Sequence, residues 1–289
     1  MTIFKHAIIF FLCIFPLISC FDDTSYKSSK PIITCSLPPQ AYYIEKIVGT
    51  KADIFILLPP FASAEHFEIK PKDLLKLQRS MLWVTLGGLF VFESQWIQKV
   101  SSMHNGPQII DSSAGIHLRR TSHGHGKMNQ CDPHMWLSPR LLQIQVKNFY
   151  EALINVDSNN KEYYTMNYVS LIHELQMLDE EIKRKLEPLK KRQFLVFHPS
   201  WGYFAADYNL EQVSIEVEGK EPGIEHMKQI IDRARKENLK AIFIEPQFSI
   251  KQASLIAKEI NASVVTIDPL AQEYTKSLRT FVEYLKLYE

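Results

Sequence analysis

A long helical pattern near the middle of the sequence places the strongest restriction on the fold. Residues 161–187 contain no glycine or proline, and charged residues separate the apolar ones. The apolar residues recur at three- and four-residue steps: Tyr164, Tyr168, Leu171, Ile172, Leu175, Leu178, Ile182 and Leu186. This spacing predicts one amphipathic helix, roughly 40 Å long at 1.5 Å per residue. We therefore expect residues 158–190 to form a rigid linker between two folded halves.

Both halves of the chain alternate short apolar runs with helical patterns. ADIFILL at 52–58 is one such run before the linker, and QFLVF at 193–197 is one after it. This alternation predicts βαβ units with parallel sheets, and hence two α/β lobes with a ligand cleft between them. We assign the N-terminal lobe to residues 31–157 and the C-terminal lobe to 191–289. A length of 289 residues, 46% of them hydrophobic, is enough for two such cores.

The first thirty residues have the composition of a targeting signal followed by a flexible tether. Residues 7–18 are almost entirely apolar and follow a weakly basic start, which is typical of a signal peptide over residues 1–20. The run ends in Leu-Ile-Ser-Cys, the pattern of a lipobox, and this indicates lipidation of Cys20. An ordinary cleaved signal with an incidental cysteine remains the alternative. Residues 21–30 are polar and predict a flexible tether. The signal peptide and the lipobox pattern together place the protein in the periplasm or on the cell surface.

Charge and cysteine content exclude some classes of partner and fold. The formal net charge is +1, and no basic cluster is dense enough to predict a nucleic-acid partner. Outside the signal peptide the chain has only Cys35 and Cys131, so no disulfide framework is implied. The sequence leaves open whether these two cysteines are paired.

The segment DPHMWLSP at 132–139 holds a histidine on a stiff turn. Pro133 fixes its own φ and lacks a backbone donor, so no regular helix or central strand runs through it. Ser138 and Pro139 are typical of a helix start, with serine as the N-cap and proline at the first helical position. Taken alone, His134 would be interpreted as a turn histidine bonded to the backbone.

Three other donor side chains also follow strands or proline turns. His66 lies on the loop after ADIFILL, while His198 and Asp268 directly follow apolar runs. Because ligands of parallel sheets bind beyond the carboxyl ends of the strands, we expect these side chains to meet His134 in the cleft. Three imidazoles and one carboxylate make a tetrahedral set suited to Zn²⁺.

The chain resembles solute-binding protein family 9, the zinc/manganese-type lipoproteins of bacterial ABC importers. The matching runs are LLPP at 57–60 with EH at 65–66, DPHMWLSP, VFHPSWGYFAADYNL at 196–210, EGKEPG at 218–223, FIEPQFS at 243–249 and TIDPLA at 266–271. The resemblance extends from residue 32 to the C-terminus. It implies His66, His134, His198 and Asp268 as metal ligands. It also implies a monomeric extracytoplasmic receptor that passes its metal to a membrane permease driven by an ATPase.

The resemblance also directs attention to residues around the ligand set. Glu65 is either a residue that supports the site or donates an oxygen to the metal, or an exposed loop carboxylate, and Glu218 and Glu245 are expected to support loops near the cleft. The loop containing His117, His123 and His125 is interpreted as solvated, with auxiliary metal capture as the alternative. A histidine at position 198 favours Zn²⁺ over Mn²⁺ or Fe²⁺, although both of these remain open.

Two other functions are compatible with parts of the sequence. A zinc hydrolase would need an open metal position and a general base, but the chain has no His-Glu-x-x-His helix. A Ser200/His198/Asp268 triad can be drawn, yet it lacks the Gly-x-Ser-x-Gly elbow. A surface adhesin on the same fold is the third reading. We therefore predict a receptor and not an enzyme.

Overall fold

The computed structural model describes residues 30–120, 131–216 and 223–289. Within these ranges, the N-terminal lobe has four strands and four α-helices. In chain order these are β1 (Ile32–Cys35), α1 (Pro38–Val48), β2 (Asp53–Ile56), α2 (Pro71–Gln78), β3 (Leu82–Thr85), α3 (Val91–Ser101), β4 (Gln108–Asp111) and α4 (Pro139–Val156). A single 3-10 turn, Met135–Leu137, precedes α4.

The connecting helix α5 spans Lys161–Leu186 and follows a 3-10 turn at Ser158–Asn160. The C-terminal lobe then repeats the alternation of strands and helices. Its elements are β5 (Gln193–Val196), α6 (Gly202–Asp207), β6 (Glu211–Ser214), α7 (Ile224–Lys236), β7 (Ala241–Ile244), α8 (Ile250–Ile260), β8 (Ser263–Thr266) and α9 (Tyr274–Leu287). The fold class expected from the sequence, two α/β lobes joined by one long helix, is confirmed.

The two sheets have the same topology. Their strand orders are β2-β1-β3-β4 and β6-β5-β7-β8, and every pair of neighbours is parallel. In each sheet the order reverses direction at one place, between β1 and β3 in the first and between β5 and β7 in the second. Ligands of open parallel sheets bind at such switch points, beyond the carboxyl ends of the strands. The topology therefore places the ligand-binding loops of each lobe beyond the carboxyl ends of its strands. We expect these loops of the two lobes to line a common cleft.

Helix α5 packs against both lobes. It contacts α1 and α4 of the first lobe and α9 of the second. Its buried positions belong to one hydrophobic cluster that runs from the first lobe to one face of the second sheet: Tyr164, Leu171, Leu175, Leu178, Ile182 and Leu186. A separate, smaller cluster lies beneath α7 and α8 on the other face of that sheet. The linker is thus also part of the core.

Two further features concern the cysteines and the membrane. Cys35 and Cys131 are both free thiols, the first fully buried in β1 and the second half-buried, so the pairing left open by the sequence is not formed. Among the residues that the structure describes, no helix is both long and apolar enough to cross a membrane.

Candidate metal centre

A small pocket opens between the lobes at the carboxyl ends of both sheets. Its walls come from the β2–α2 and β3–α3 loops, the His134 turn and the loops after β5, β7 and β8. The residues that line it are Ser63, Ala64, Glu65, Phe90, His134, Trp136, His198, Glu245, Gln247, Phe248, Pro269 and Leu270. The switch point between β5 and β7 supplies two of them, since His198 closely follows β5 and Glu245 directly follows β7.

His134 is held by the carboxylate that precedes it in the turn. Asp132 Oδ1 accepts the backbone N–H of His134 at 2.9 Å and lies 2.8 Å from its ring Nδ1. Because an ionised carboxylate only accepts hydrogen bonds, Nδ1 carries the proton and Nε2 keeps its lone pair for a ligand. As predicted, Ser138 caps α4, where its hydroxyl accepts the backbone N–H of Leu141 at 3.0 Å.

His198 is held in the same way by the second lobe. Its Nδ1 lies 2.8 Å from Oε2 of Glu216, which follows the neighbouring strand β6. Its Nε2 lies 3.3 Å from Oε1 of Glu65, on the loop of the opposite lobe. Three potential ligand atoms lie within 4.8 Å of one another, one each from Glu65, His198 and Glu216. At this spacing they could hold a metal ion. The face of the His198 ring stacks on Phe248, with 5.4 Å between ring centroids.

The two imidazole rings meet in the cleft. Their centroids are 5.2 Å apart and the rings are nearly perpendicular. Both residues are buried, and Trp136 packs beside His134. The Trp136 indole N–H also donates to the carbonyl of Pro269 at 2.8 Å, so this wall of the pocket is fixed to the second lobe. The site therefore combines two oriented nitrogen donors with largely apolar walls.

The electrostatics of the pocket favour a cation. Burial lowers the pKa of His198, but the hydrogen bond to Glu216 and the charges of Glu65 and Glu245 outweigh it and raise that pKa to about 9. Burial raises the pKa of Glu245 to about 7, against the opposing charge of His198. An environment that favours an imidazolium also favours a metal cation on the same nitrogen, provided that the metal displaces the proton.

The other two predicted ligands stand apart from this pair. His66 is exposed and does not line the pocket, although its neighbour Glu65 does. Asp268 is half-buried beside the pocket, where its Oδ1 accepts the backbone N–H of Leu270 at 2.9 Å. Burial raises its pKa and this bond lowers it, with a net increase. The structure thus brings together His134 and His198, and leaves His66 and Asp268 outside their immediate contacts.

The remaining predicted residues divide between the pocket, the surface and undescribed segments. Glu65 and Glu245 line the pocket, and Glu245 accepts a hydrogen bond from the buried hydroxyl of Ser200 at 2.8 Å. His117 is exposed. The lipidation residue, the auxiliary loop histidines and one supporting glutamate lie outside the described residues: Cys20, His123, His125 and Glu218.

Sequence reasoning missed the two carboxylates that orient the histidines. Asp132 could have been recognised, because an aspartate two residues before a histidine, next to a proline, can bond both the backbone and the ring of that histidine. Glu216 had a weaker signal. It follows a strand, like the predicted ligands, but only the pairing of β5 with β6 places it beside His198.

Comparisons with known proteins place the chain in a family. Residues 33–288 match the profile of the family described as ZnuA, zinc-uptake complex component A, periplasmic. The high-affinity zinc uptake system protein ZnuA of Bacillus subtilis (strain 168) is 31% identical over 261 residues, which cover 84% of this chain and 80% of that protein. A crystal structure of ZnuA superposes with a TM-score of 0.84 at 38% identity and covers 90% of this chain and 99% of that one. A ZnuA deletion mutant with zinc bound gives a TM-score of 0.82 at 38% identity, covering 89% and 96% respectively. The chain therefore belongs to the ZnuA family of periplasmic zinc-uptake components.

Proposed function

We propose that this protein is the extracytoplasmic receptor of an ABC importer that captures Zn²⁺ and delivers it to the membrane permease. The observation that carries the proposal is the pair of carboxylate–histidine units, one from each lobe, in a shared pocket. In each unit the carboxylate holds the ring through Nδ1, so Nε2 is the ring atom that a metal would bind; at His198 the metal would replace the proton and the contact of Nε2 with Glu65. Family membership and the zinc-bound relative support the same function.

The proposed ligands are His134 and His198, completed by His66 and Asp268. Glu65 is the oxygen donor nearest to His198 in this structure, and it replaces His66 in the pocket wall. His66 is the next residue on the same loop, so a local rotation of this loop exchanges one side chain for the other. We propose that metal binding draws His66 inward and that Glu65 serves as the alternative oxygen ligand.

The donor set favours zinc over manganese or iron. Three imidazoles with one carboxylate form a closed tetrahedral shell, which suits Zn²⁺. Mn²⁺ prefers a shell richer in oxygen, and Glu65 is the residue through which such a shell could be built. Competition among Zn²⁺, Mn²⁺ and Fe²⁺ on protein purified without chelators measures this preference.

Delivery requires partners outside this chain. We propose a membrane permease and its ATPase as partners, a lipid anchor on Cys20, and a monomeric receptor. These assignments rest on family membership and on the lipobox pattern of the sequence. Metabolic labelling with a fatty acid tests the anchor, because a Cys20→Ser variant should not be labelled.

The geometry favours a receptor over a hydrolase. In the triad drawn from the sequence, Ser200 would have to donate to His198. Its hydroxyl is instead buried and donates to Glu245, while His198 Nδ1 is paired with Glu216. The more similar relatives are named for zinc uptake, which favours a transport receptor over an adhesin as well.

A metal titration tests the proposed site. We expect one equivalent of Zn²⁺ to bind the purified protein tightly and to raise its Tm, because a ligand that binds only the folded state stabilises it. His134→Ala should abolish most of this increase in Tm. His173→Ala is the matched control, since His173 is exposed on α5 and should not affect binding. Wild-type affinity in the His134→Ala variant would contradict the assignment.

A further inference from the structure

The hydroxyl of Tyr203 joins the two lobes next to His134. Tyr203 lies on α6 in the second lobe, and its side chain is 3% exposed. Its hydroxyl donates to the backbone carbonyl of Asp132 at 2.9 Å and accepts the backbone N–H of Arg119 at 2.9 Å. The Arg119 guanidinium also lies over the Tyr203 ring, 5.9 Å from its centroid. Both backbone partners belong to the first lobe.

Asp132 is therefore fixed through its backbone as well as through its side chain. Its N–H donates to the carbonyl of Arg119 at 2.8 Å, and its carbonyl accepts the Tyr203 hydroxyl. This leaves little freedom for the carboxylate that holds the His134 ring. The adjacent residue on α6 is Gly202, and a Cβ at that position would lie only 2.7 Å from Asp132 Oδ2. Glycine thus permits the close approach of α6 to the His134 turn.

We propose that Tyr203 is a positioning residue for metal binding: from the second lobe, it holds Asp132 in the place that orients His134. This inference rests on the proposed function, because it assumes that His134 ligates the metal. Tyr203 itself does not touch the metal.

The position of Tyr203 in the chain links the two halves of the site. It is five residues from His198, and the segment between them contains Ser200 and Trp201, both buried. One segment of the second lobe thus supplies one ligand and holds the turn that carries the other. A displacement of α6 from the first lobe would break both hydroxyl bonds and release Asp132. The affinity for metal then depends on the contact between the lobes, so separating them lowers it.

A Tyr203→Phe variant tests this inference, because it removes only the hydroxyl. Tyr208→Phe is the matched control. Tyr208 immediately follows α6, is also buried, and donates its hydroxyl to Asp179 of α5 at 2.7 Å, with no hydrogen bond to Asp132 or Arg119 among those of the described residues. We expect Tyr203→Phe to weaken Zn²⁺ binding about 10-fold or more, as is typical for residues that orient ligands. Tyr208→Phe should bind like the wild type, whatever its Tm.

Two further measurements separate positioning from general destabilisation. In a His134→Ala background, Tyr203→Phe should change the affinity by less than about 2-fold, because its effect passes through His134. Nitrogen-15 NMR of the metal-free protein should show His134 losing its single Nδ1–H tautomer in Tyr203→Phe and retaining it in Tyr208→Phe.

Equal losses of affinity in both tyrosine variants would overturn the inference, and so would wild-type affinity in Tyr203→Phe. An unchanged His134 tautomer in that variant would also overturn it. If the wild-type protein itself fails to bind Zn²⁺, the proposed function fails, and this outcome is distinct from the others.

Discussion

At the scale of single residues, the site depends on two carboxylates that do not need to touch the metal. Asp132 and Glu216 each lie 2.8 Å from Nδ1 of a histidine. Each bond fixes the tautomer and limits rotation of the ring, so less side-chain freedom is lost when the metal arrives. One such carboxylate–histidine pair lies in each lobe, so both lobes orient a histidine in the same way.

The Glu216 carboxylate can be tested by a nearly isosteric change. Glu216→Gln keeps an acceptor for His198 Nδ1–H but removes the negative charge, so we expect Zn²⁺ affinity to fall roughly 10-fold, at the low end of the range for such partners. Glu211→Gln is the control, because Glu211 is exposed on the same strand β6 and pairs with Arg233. Competition with a chromogenic chelator measures both affinities. An equal loss in both variants would mean that only the overall charge matters.

The sequence predicted part of this site and missed the rest for physical reasons. His134 and His198 could be predicted to meet, because His198 follows a strand end and His134 lies on a proline-fixed turn, and ligands of parallel sheets bind beyond the strand ends. The exposed position of His66 could not be predicted. The direction of a side chain on a long loop depends on backbone angles that the sequence does not specify. Within that loop, Phe61 adopts a φ of 63°, which is uncommon for a bulky residue. The position of Glu216 beside His198 could be predicted only if the pairing of β5 with β6 were known.

At the scale of elements, α5 acts as both linker and core. Its buried residues alternate with charged ones at the helical period, so the sequence predicted the helix well. The observed helix ends at Leu186, with Glu187 as its C-cap, because Pro188 lacks the backbone N–H that would continue the helical hydrogen bonds. Periodicity gave no sign that this helix packs on both lobes, since contacts with α1, α4 and α9 depend on the tertiary arrangement.

This double role predicts that a single change in α5 destabilises the whole protein. Leu175 is fully buried, and we expect Leu175→Ala to lower the free energy of unfolding by about 2–5 kcal/mol. Met177, two residues along the same helix, is 47% exposed, and Met177→Ala should change stability by no more than about 0.5 kcal/mol. Urea denaturation followed by tryptophan fluorescence and circular dichroism measures both. We expect one transition in each case, and separate transitions for the two lobes would contradict this.

At the scale of the whole molecule, the lobes are joined by much more than the linker. Tyr42 of the first lobe packs on Tyr274 of the second, with 5.3 Å between ring centroids. Near the cleft, Ser138 at the start of α4 donates to Asp207 at the end of α6. Together with the continuous hydrophobic cluster, these contacts oppose any large rotation of one lobe against the other.

We therefore expect Zn²⁺ to bind with little movement of the lobes and with a local rearrangement of the β2–α2 loop. Small-angle scattering of chelator-treated and zinc-loaded protein that begins at residue 31, after the expected signal peptide and tether, should give the same radius of gyration within error, about 18 Å for a compact chain of that length. Trp136→Phe provides a contrast, because it removes the indole bond to Pro269 that fixes the pocket wall to the second lobe. In that variant the metal-free protein should be more open and should become more compact on binding. A closure of tens of degrees in the wild type would show that the contacts between the lobes yield to the metal.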